Sequence, residues 1–265
     1  MTKRIAFING KGGCGKTTSI FHVAGALAKA GEKVLVIDLD KQRNTSKTLL
    51  LYSEFPGKSV LEVMLGTATP EDATAKVLAP LHRSNQKARP YGVDCMVASV
   101  DLEDENLLST VDAAQFGSIM REFVANGGYT WVLVDMPPSN KILNEICFSE
   151  LVDFVLCPFS SDLFSVDGYG DIMDTIERAR ETNPELNVLG IYLSRYMAGC
   201  GVDRYVKSQL EGFDTFIDIQ IPMATDLREA VMFGRPICYY KPLSKSAAAY
   251  ESLIRELKKR IASVM

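Results

Sequence analysis

The residues with the clearest chemical purpose occupy the first twenty positions of the chain. An apolar run, Ile5–Ile8, is followed by Gly10-Lys-Gly-Gly-Cys-Gly-Lys-Thr-Thr18 and then by a segment with helical periodicity. Strand, glycine-rich turn and helix are the context of a phosphate-binding loop. Four residues match its pattern G-x-x-x-x-G-K-[ST], namely Gly10, Gly15, Lys16 and Thr17. The sequence therefore predicts a site for a nucleoside triphosphate with magnesium.

The types of these residues suit phosphate chemistry. Glycines allow backbone N–H groups to converge on phosphate oxygens, and the following helix adds the positive end of its dipole. Lys16 places a charge near the β- and γ-phosphates, and the hydroxyl of Thr17 is the expected magnesium ligand. The residues predicted to contact nucleotide are Gly10, Lys11, Gly12, Gly13, Cys14, Gly15, Lys16, Thr17 and Thr18.

Carboxylates end two further apolar segments. Val34–Asp38 continues to Asp40 and Gln42, and Trp131–Asp135 runs into two prolines. Ligands of an open α/β sheet bind at the carboxyl ends of its strands, so these carboxylates are expected beside the glycine-rich loop. Two carboxylates at i and i+2 with a nearby glutamine fit the task of orienting water and magnesium, and Asp135 is predicted to hold magnesium through water.

Short apolar segments alternate with helical ones along most of the chain, which indicates a parallel sheet covered on both faces. We predict a single α/β P-loop NTPase domain over residues 1–265, with a mostly parallel twisted sheet. The predicted strands are Ile5–Asn9, Lys33–Asp38, Asp94–Ala98, Trp131–Asp135, Phe154–Pro158 and Val188–Ser194. Helical examples are Phe116–Val124, Val166–Arg180 and about 246–263, and Leu81–Tyr91 is expected to be an exposed loop.

Composition restricts the class of protein. Hydrophobic residues make up 47% and charged residues 23% of the 265 positions, which is ordinary for a soluble globular protein. The net charge of −4 argues against a uniformly basic nucleic-acid binder but leaves room for a local basic patch. The six cysteines are scattered without a C-x-x-C pair and predict reduced core residues. We expect a cytoplasmic protein with no signal peptide and no transmembrane segment.

Lys11, directly after the first glycine, makes the loop more specific. The motif Lys-Gly-Gly-x-Gly-Lys-Thr-Thr resembles the deviant Walker A motif of the ParA/MinD family of ATPases. Two further segments resemble that family: Asp38–Asn44 its D-x-D-P-Q-x-N switch and Asp135–Pro138 its D-x-P-P switch. A third block, from Ile221 to Tyr250, is similar to its C-terminal I-P-R … E-A … G-x-P … A-Y pattern.

The resemblance implies roles for individual residues. Lys11 would reach across a dimer interface to the partner's nucleotide, Asp40 would polarise the attacking water, and Asp38 would support the magnesium shell. The segment Ile221, Pro222 and Met223 would lie beside the adenine. Two positions depart from the family pattern, because Lys41 replaces a proline and Met223 an arginine.

Other relatives of the family fit less well. The nitrogenase iron protein needs a cysteine just after the second carboxylate strand, where this chain has Met136-Pro-Pro-Ser139. GTP-specific relatives use an N-K-x-D motif, and Asn140-Lys-Ile-Leu143 lacks its aspartate. ATP is therefore the predicted nucleotide.

The leading hypothesis is a partition ATPase of the ParA type. ATP would drive homodimerisation, the dimer would bind DNA on the nucleoid without sequence preference, and a ParB-like centromere-binding partner would stimulate slow hydrolysis. Five basic residues of the C-terminal third are candidates for the DNA surface: Arg195, Arg204, Lys207, Arg228 and Arg235. With about three residues before the first strand, the helix-turn-helix extension of operator-repressing relatives is expected to be missing.

Two alternatives remain open at the level of the sequence. A MinD-like regulator would dock its last helix on a membrane, and the stripe from Tyr250 to Val264 has the required i, i+3, i+4, i+7 spacing. We expect this stripe to pack on the domain instead. A cargo-positioning ATPase of the same family is the third possibility.

Overall fold

Apolar segments of five to ten residues form one sheet in the computed structural model, which describes residues 1–79, 90–138, 140–161 and 165–264. The strands are β1 Lys3–Phe7, β2 Val34–Asp38, β3 Thr74–Leu78, β4 Pro90–Met96, β5 Trp131–Asp135, β6 Phe154–Phe159, β7 Asn187–Tyr196 and β8 Phe216–Pro222. Their order is β3-β4-β2-β5-β1-β6-β7-β8, and the neighbouring pairs are parallel except for β3 and β4. The predicted α/β fold with a mostly parallel sheet is confirmed.

Helices connect the strands and cover the sheet. In the described residues they are α1 Lys16–Lys29, α2 Asn44–Leu49, α3 Val60–Met64, α4 Glu105–Leu108, α5 Ala113–Asn126, α6 Lys141–Ile146, α7 Ser165–Thr182, α8 Gly201–Leu210, α9 Thr225–Met232, α10 Ile237–Tyr240 and α11 Lys245–Val264. A single π-helical turn, Cys147–Leu151, follows α6. None of the helices within these described ranges is both long and apolar enough to cross a lipid bilayer.

The sheet has a hydrophobic core on each face because side chains alternate along every strand. In β1, Ile5 and Phe7 pack with α1, α9 and α11, whereas Ala6 packs with α3, α5 and α8 on the other side. Strands buried on both faces read as continuous apolar runs, which is why β1, β2 and β5 were predictable from sequence.

Two strands were not predicted, and both lie at an edge of the sheet. β3 has the sequence TAKVL and β8 the sequence FIDIQIP, and each keeps polar side chains on a solvent-facing side. Because polar residues interrupt these two segments, they lack the continuous apolar run from which the other strands were predicted. The predicted loop Leu81–Tyr91 falls mostly outside the described residues, but its last two residues were assigned wrongly, because β4 begins at Pro90.

The last helix packs on the domain. Tyr250, Leu253, Leu257 and Ile261 are buried in the core that α11 forms with α1 and β8. Arg260 fixes the end of the helix by donating to the carbonyls of Leu189 at 2.8 Å and Phe216 at 2.9 Å. The expectation that the apolar stripe packs on the domain is confirmed up to Ile261, whereas Val264 is 54% exposed.

Candidate nucleotide-binding site

The loop between β1 and α1 has the backbone that phosphate binding requires. Gly13 and Gly15 have φ of 79° and 92°, in the left-handed region that favours glycine. α1 begins at Lys16 directly after Gly15. Because the first turn of a helix has N–H groups without intrahelical partners, this geometry directs donors and the helix dipole at the loop.

Lys16 is buried under the loop and braced by it. Only 7% of its surface is exposed, and its Nζ donates to the carbonyl of Asn9 at 3.3 Å and to that of Lys11 at 3.5 Å. The side chain of Asn9 stabilises the turn, since its Oδ1 accepts from the Lys11 amide at 2.9 Å and its Nδ2 donates to the Pro158 carbonyl at 2.8 Å. Sequence reasoning gave Asn9 no role, although a polar residue at the end of a buried strand was a usable signal.

Asp38 and Asp135 are brought together by strand register. They are paired positions on β2 and β5, and both are fully buried. Burial raises the pKa of each carboxyl, and repulsion from Asp135 adds to the rise at Asp38. Two carboxyl groups in such surroundings create a site that a divalent cation would neutralise.

The two oxygens of Asp135 have different surroundings. Oδ2 accepts from the hydroxyl of Thr17 at 3.0 Å and from that of Thr45 at 2.5 Å. Within the described part of the chain, Oδ1 is buried and has no hydrogen-bond partner. An orphaned carboxylate oxygen beside the Thr17 hydroxyl fits a hydrated magnesium ion, which prefers oxygen ligands and retains several waters.

Asp38 is occupied by the chain itself. Its Oδ2 accepts from the amide of Ser46 at 2.8 Å and from the hydroxyl of Ser46 at 2.7 Å, and its Oδ1 accepts from the amide of Asp40 at 3.1 Å. These bonds hold Asp40, near the start of the segment 39–44, and Ser46, two residues after its end. The role of Asp38 in supporting a magnesium shell stays a prediction, and the hydrogen bonds show that both of its oxygens are engaged by the chain.

Asp40 lies half-buried in a tight turn after β2. Its Oδ1 accepts from the amide of Gln42 at 2.9 Å, and its carbonyl accepts from the amide of Arg43 at 2.8 Å. Lys41, which stands where the family has proline, forms an ion pair with Glu103. Arg43 adopts a left-handed backbone with φ of 58° directly before α2.

The carboxyl end of β7 forms the other wall of the loop. The hydroxyl of Ser194 donates to the carbonyl of Cys14, and Nη1 of Arg195 donates to the carbonyl of Gly13 at 3.0 Å. Met223 is joined to this wall because its amide donates to the carbonyl of Tyr196 at 3.0 Å. Sequence reasoning missed the contacts of Ser194 and Arg195, which depend on β7 returning beside the loop.

The segment predicted to lie beside adenine is mixed in character. Ile221 is buried, Pro222 is half-buried, and Met223 is 48% exposed. Asn140, the first residue of the incomplete GTP motif, has a structural task. Its Oδ1 accepts from the amide of Leu143 at 3.0 Å and so caps α6.

The five basic residues predicted to contact DNA do not share one environment. Arg195 contacts the phosphate-binding loop, Lys207 forms ion pairs with Glu211 and Asp218, and Arg235 is partly buried. Arg204 and Arg228 are exposed on α8 and α9. Three of the five predicted residues, Arg195, Arg204 and Arg228, are therefore exposed in this protomer, and Arg195 is held against the phosphate-binding loop.

This fold and this loop define the class of P-loop nucleoside triphosphatases. A family model described as an AAA domain matches residues 2–188. The chain is 32% identical to the chromosome partitioning protein ParA of Caulobacter vibrioides over 96% of this chain and 92% of that protein. It is 31% identical to the chromosome-partitioning ATPase Soj of Thermus thermophilus over 98% of this chain and 96% of that protein.

Solved structures of lower identity share the fold. The cobyrinic acid a,c-diamide synthase of Mycobacterium smegmatis with bound ADP and magnesium is 24% identical, with a TM-score of 0.76 over 97% of this chain and 96% of that one. The septum site-determining protein MinD of Pyrococcus horikoshii complexed with Mg-ADP is 24% identical, with a TM-score of 0.74 over 100% and 99% of the two chains. The chain belongs to the AAA domain family of P-loop ATPases that includes the ParA and Soj partitioning proteins.

Proposed function

We propose that the protein is a DNA-partition ATPase that uses Mg·ATP to dimerise, binds DNA as a dimer and is released by slow hydrolysis that a ParB-like partner stimulates. The observation that carries the proposal is the complete loop with the Thr17–Asp135 pair, in a chain similar to two partitioning proteins over nearly its whole length. The cytoplasm, with the ATP-bound form on the nucleoid, is the corresponding location.

The chain's own residues divide the work at the nucleotide. The backbone from Gly10 to Thr18 binds phosphate oxygens, and Lys16 supplies a fixed positive charge. The hydroxyl of Thr17 can donate its hydrogen bond to Asp135 while its oxygen would bind magnesium. Oδ1 of Asp135 can hold a water of the metal shell. A magnesium ion held there would supply positive charge that neutralises the phosphates. Asp40 orients the attacking water.

Slow turnover follows from this arrangement. The site positions phosphates strongly, but Asp40 is half-exposed and already accepts a hydrogen bond from Gln42. A carboxylate of this kind orients water better than it removes a proton. A partner that reshapes the segment 39–44 could therefore accelerate hydrolysis, which is the role proposed for the ParB-like protein.

DNA binding is assigned to the dimer. Arg204 and Arg228 each lie one turn inside a helix that leaves the nucleotide edge of the sheet, α8 after β7 and α9 after β8. Two such arginines in each protomer would place four charges on a dimer, which reconciles the acidic composition with binding to a polyanion. The affinity for DNA would come from phosphate contacts. It would not depend on the base sequence and would fall as the salt concentration rises.

A DNA-binding titration tests the proposal. Fluorescence anisotropy on random duplex DNA should show binding with ATP and little binding without it. The slope of log affinity against log salt concentration should decrease in magnitude by about one for each phosphate contact removed. Arg204→Glu and Arg228→Glu should weaken binding at least about tenfold. Lys259→Glu is the control, because Lys259 adjoins Arg260, which contacts the amino ends of β7 and β8 and not their carboxyl ends beside the loop.

Liposome sedimentation should be run beside the titration. The apolar stripe of α11 from Tyr250 to Ile261 packs in the core, so we expect no pelleting with anionic vesicles. ATP-dependent pelleting without DNA binding would overturn the partition proposal in favour of a MinD-like role.

A further inference from the structure

Thr45 is a buried hydroxyl at the start of α2 that no motif in the sequence singled out. It is the second residue of that helix, and only 1% of its surface is exposed. Its Oγ1 donates to Oδ2 of Asp135 at 2.5 Å. A short bond to a carboxylate in a buried environment is among the stronger hydrogen bonds of proteins.

Adjacent hydroxyls of α2 bind different carboxylates. Thr45 donates to Asp135 on β5, whereas Ser46 donates to Asp38 on β2. Ser46 Oγ also accepts from the amide of Ala98 at 3.1 Å, so the same turn of the helix is joined to the end of β4. The first turn of α2 is thereby fixed to three strands.

The segment 39–44 connects β2 to this turn, and Asp40 lies within it. Its first amide, that of Leu39, donates to the backbone carbonyl of Asp135 at 2.9 Å, and its last residue directly precedes Thr45. Asp135 is therefore contacted from both ends of the segment that carries the water-orienting carboxylate. Thr45 provides the side-chain contact of the two.

We propose that Thr45 is a positioning residue that joins the segment 39–44 to the magnesium carboxylate Asp135, so that the state of the metal site is transmitted to Asp40. The inference rests on the proposed use of magnesium and adds a route by which the segment responds to it. Thr45 and Thr17 both donate to Oδ2, which fixes the carboxylate plane and keeps Oδ1 available for a water of the metal shell.

The bond should work in both directions. A carboxylate held by two hydroxyls is oriented before the cation arrives, and residues that orient metal ligands in this way commonly change metal affinity by 10–100-fold when they are removed. Conversely, a cation that fixes Asp135 fixes the acceptor of Thr45 and hence the exit of the segment 39–44. Loss of the hydroxyl should separate these two effects from phosphate binding, because Lys16 and the glycine-rich backbone are unchanged.

The test is the magnesium dependence of nucleotide retention, measured with a fluorescent ADP analogue and without turnover. Thr45→Val keeps the shape of the side chain and removes the donor, and we expect its magnesium midpoint to rise about tenfold. Thr45→Ser should restore the parent midpoint. Thr48→Val is the matched control, because it is the same substitution three residues along the same helix.

Hydrogen–deuterium exchange gives a second readout. In the parent, magnesium added to the nucleotide complex should slow exchange of the amides of residues 39–44. In Thr45→Val this protection should be lost while nucleotide still protects residues 10–18, and thermal unfolding should confirm that the variant is folded.

The outcomes separate the two proposals. A parent protein that needs magnesium, beside a Thr45→Val variant with the same midpoint and the same protection of residues 39–44, would overturn the role of Thr45 alone. A parent that retains the nucleotide equally well in EDTA would overturn the proposed use of magnesium and this inference together.

Discussion

Single side chains set the chemistry of the site, and the carboxylates divide it between them. Among the described residues, Oδ1 of Asp135 is buried without a hydrogen-bond partner, whereas both oxygens of Asp38 accept hydrogen bonds from the chain. Asp40 lies outside the core in a turn that its own carboxylate stabilises. Three carboxylates within reach of one loop thus have three environments, which is the usual way in which similar groups acquire different roles.

Asp40→Ala should separate nucleotide binding from hydrolysis. The variant loses the group proposed to orient water, so the ATPase rate should fall at least about 100-fold while affinity for ATP changes little. Asp112→Ala is the control, since it likewise removes a carboxylate that accepts a backbone amide, at the start of α5. Lys16→Ala should instead abolish binding. A parent-like rate in Asp40→Ala would remove Asp40 from the mechanism.

His22 should make the protein sensitive to acid. Burial lowers the pKa of His22 to about 3, and its Nδ1 accepts from the amide of Ile237 at 3.0 Å. Between the unfolded pKa of about 6.5 and the folded value, the unfolded chain binds one proton more than the native protein. The free energy of unfolding should therefore fall as pH falls, at about 1.4 kcal/mol per pH unit from this residue.

Urea unfolding at a series of pH values checks this prediction. His22→Gln is expected to be less stable at neutral pH. Below pH 6, however, its free energy of unfolding should fall less steeply than that of the parent, by about 1.4 kcal/mol per pH unit. Identical slopes in the two proteins would show that His22 takes up a proton in the native state.

Helix α1 is the element on which both the site and the core depend. Its first residue is Lys16, and its apolar side packs under the sheet with α9, α10 and α11. Gly25 on this helix faces Pro236, which immediately precedes α10. The absence of a side chain at Gly25 is what permits the two segments to approach.

Gly25→Ala should destabilise the protein despite the better helix propensity of alanine. A Cβ at this position would lie 2.2 Å from Cβ of Pro236 and 2.3 Å from its Cγ. Overpacking of this kind costs about 1–3 kcal/mol, which exceeds the gain of about 1 kcal/mol from propensity. Gly170→Ala in α7 is the matched control, because its Cβ would meet no described atom within 4 Å outside the backbone of its own helix. Thermal unfolding should move down for the first variant and up for the second.

At the scale of the whole molecule, the sheet brings together residues that are more than a hundred positions apart in sequence. β1 lies centrally, and the carboxyl ends of its neighbours surround the loop that follows it. Lys11 belongs to this surface, where its amide is anchored by Asn9. The proposed dimer contact requires the side chain of Lys11 to reach a phosphate that is bound by the second protomer.

Lys11→Ala should bind nucleotide but fail to dimerise. The loop keeps Lys16 for its own phosphates, so removing Lys11 should affect the contact between protomers alone. Light scattering with a non-hydrolysable ATP analogue should report a dimer for the parent and for Lys259→Ala, and a monomer for Lys11→Ala. Dimerisation of the Lys11 variant at parent strength would contradict the proposed contact with the partner's nucleotide.

The sequence by itself determined the class of fold, the loop and the position of the carboxylates along the chain. These features are local. The segment from Gly10 to Thr18 specifies a backbone turn, and an uninterrupted apolar run predicts a buried strand such as Trp131–Asp135. Edge strands β3 and β8 escaped detection because half of their side chains face solvent.

Only the tertiary structure decided which side chains meet. The bonds from Thr45 to Asp135, from Ser194 to Cys14 and from Arg195 to Gly13 join residues 90 to 182 positions apart. The same holds for the basic residues, of which Lys207 is paired and Arg235 partly buried while Arg204 and Arg228 remain exposed. Hydrogen bonds act over about 3 Å, so their partners are set by strand order and register, which are not local properties of the sequence.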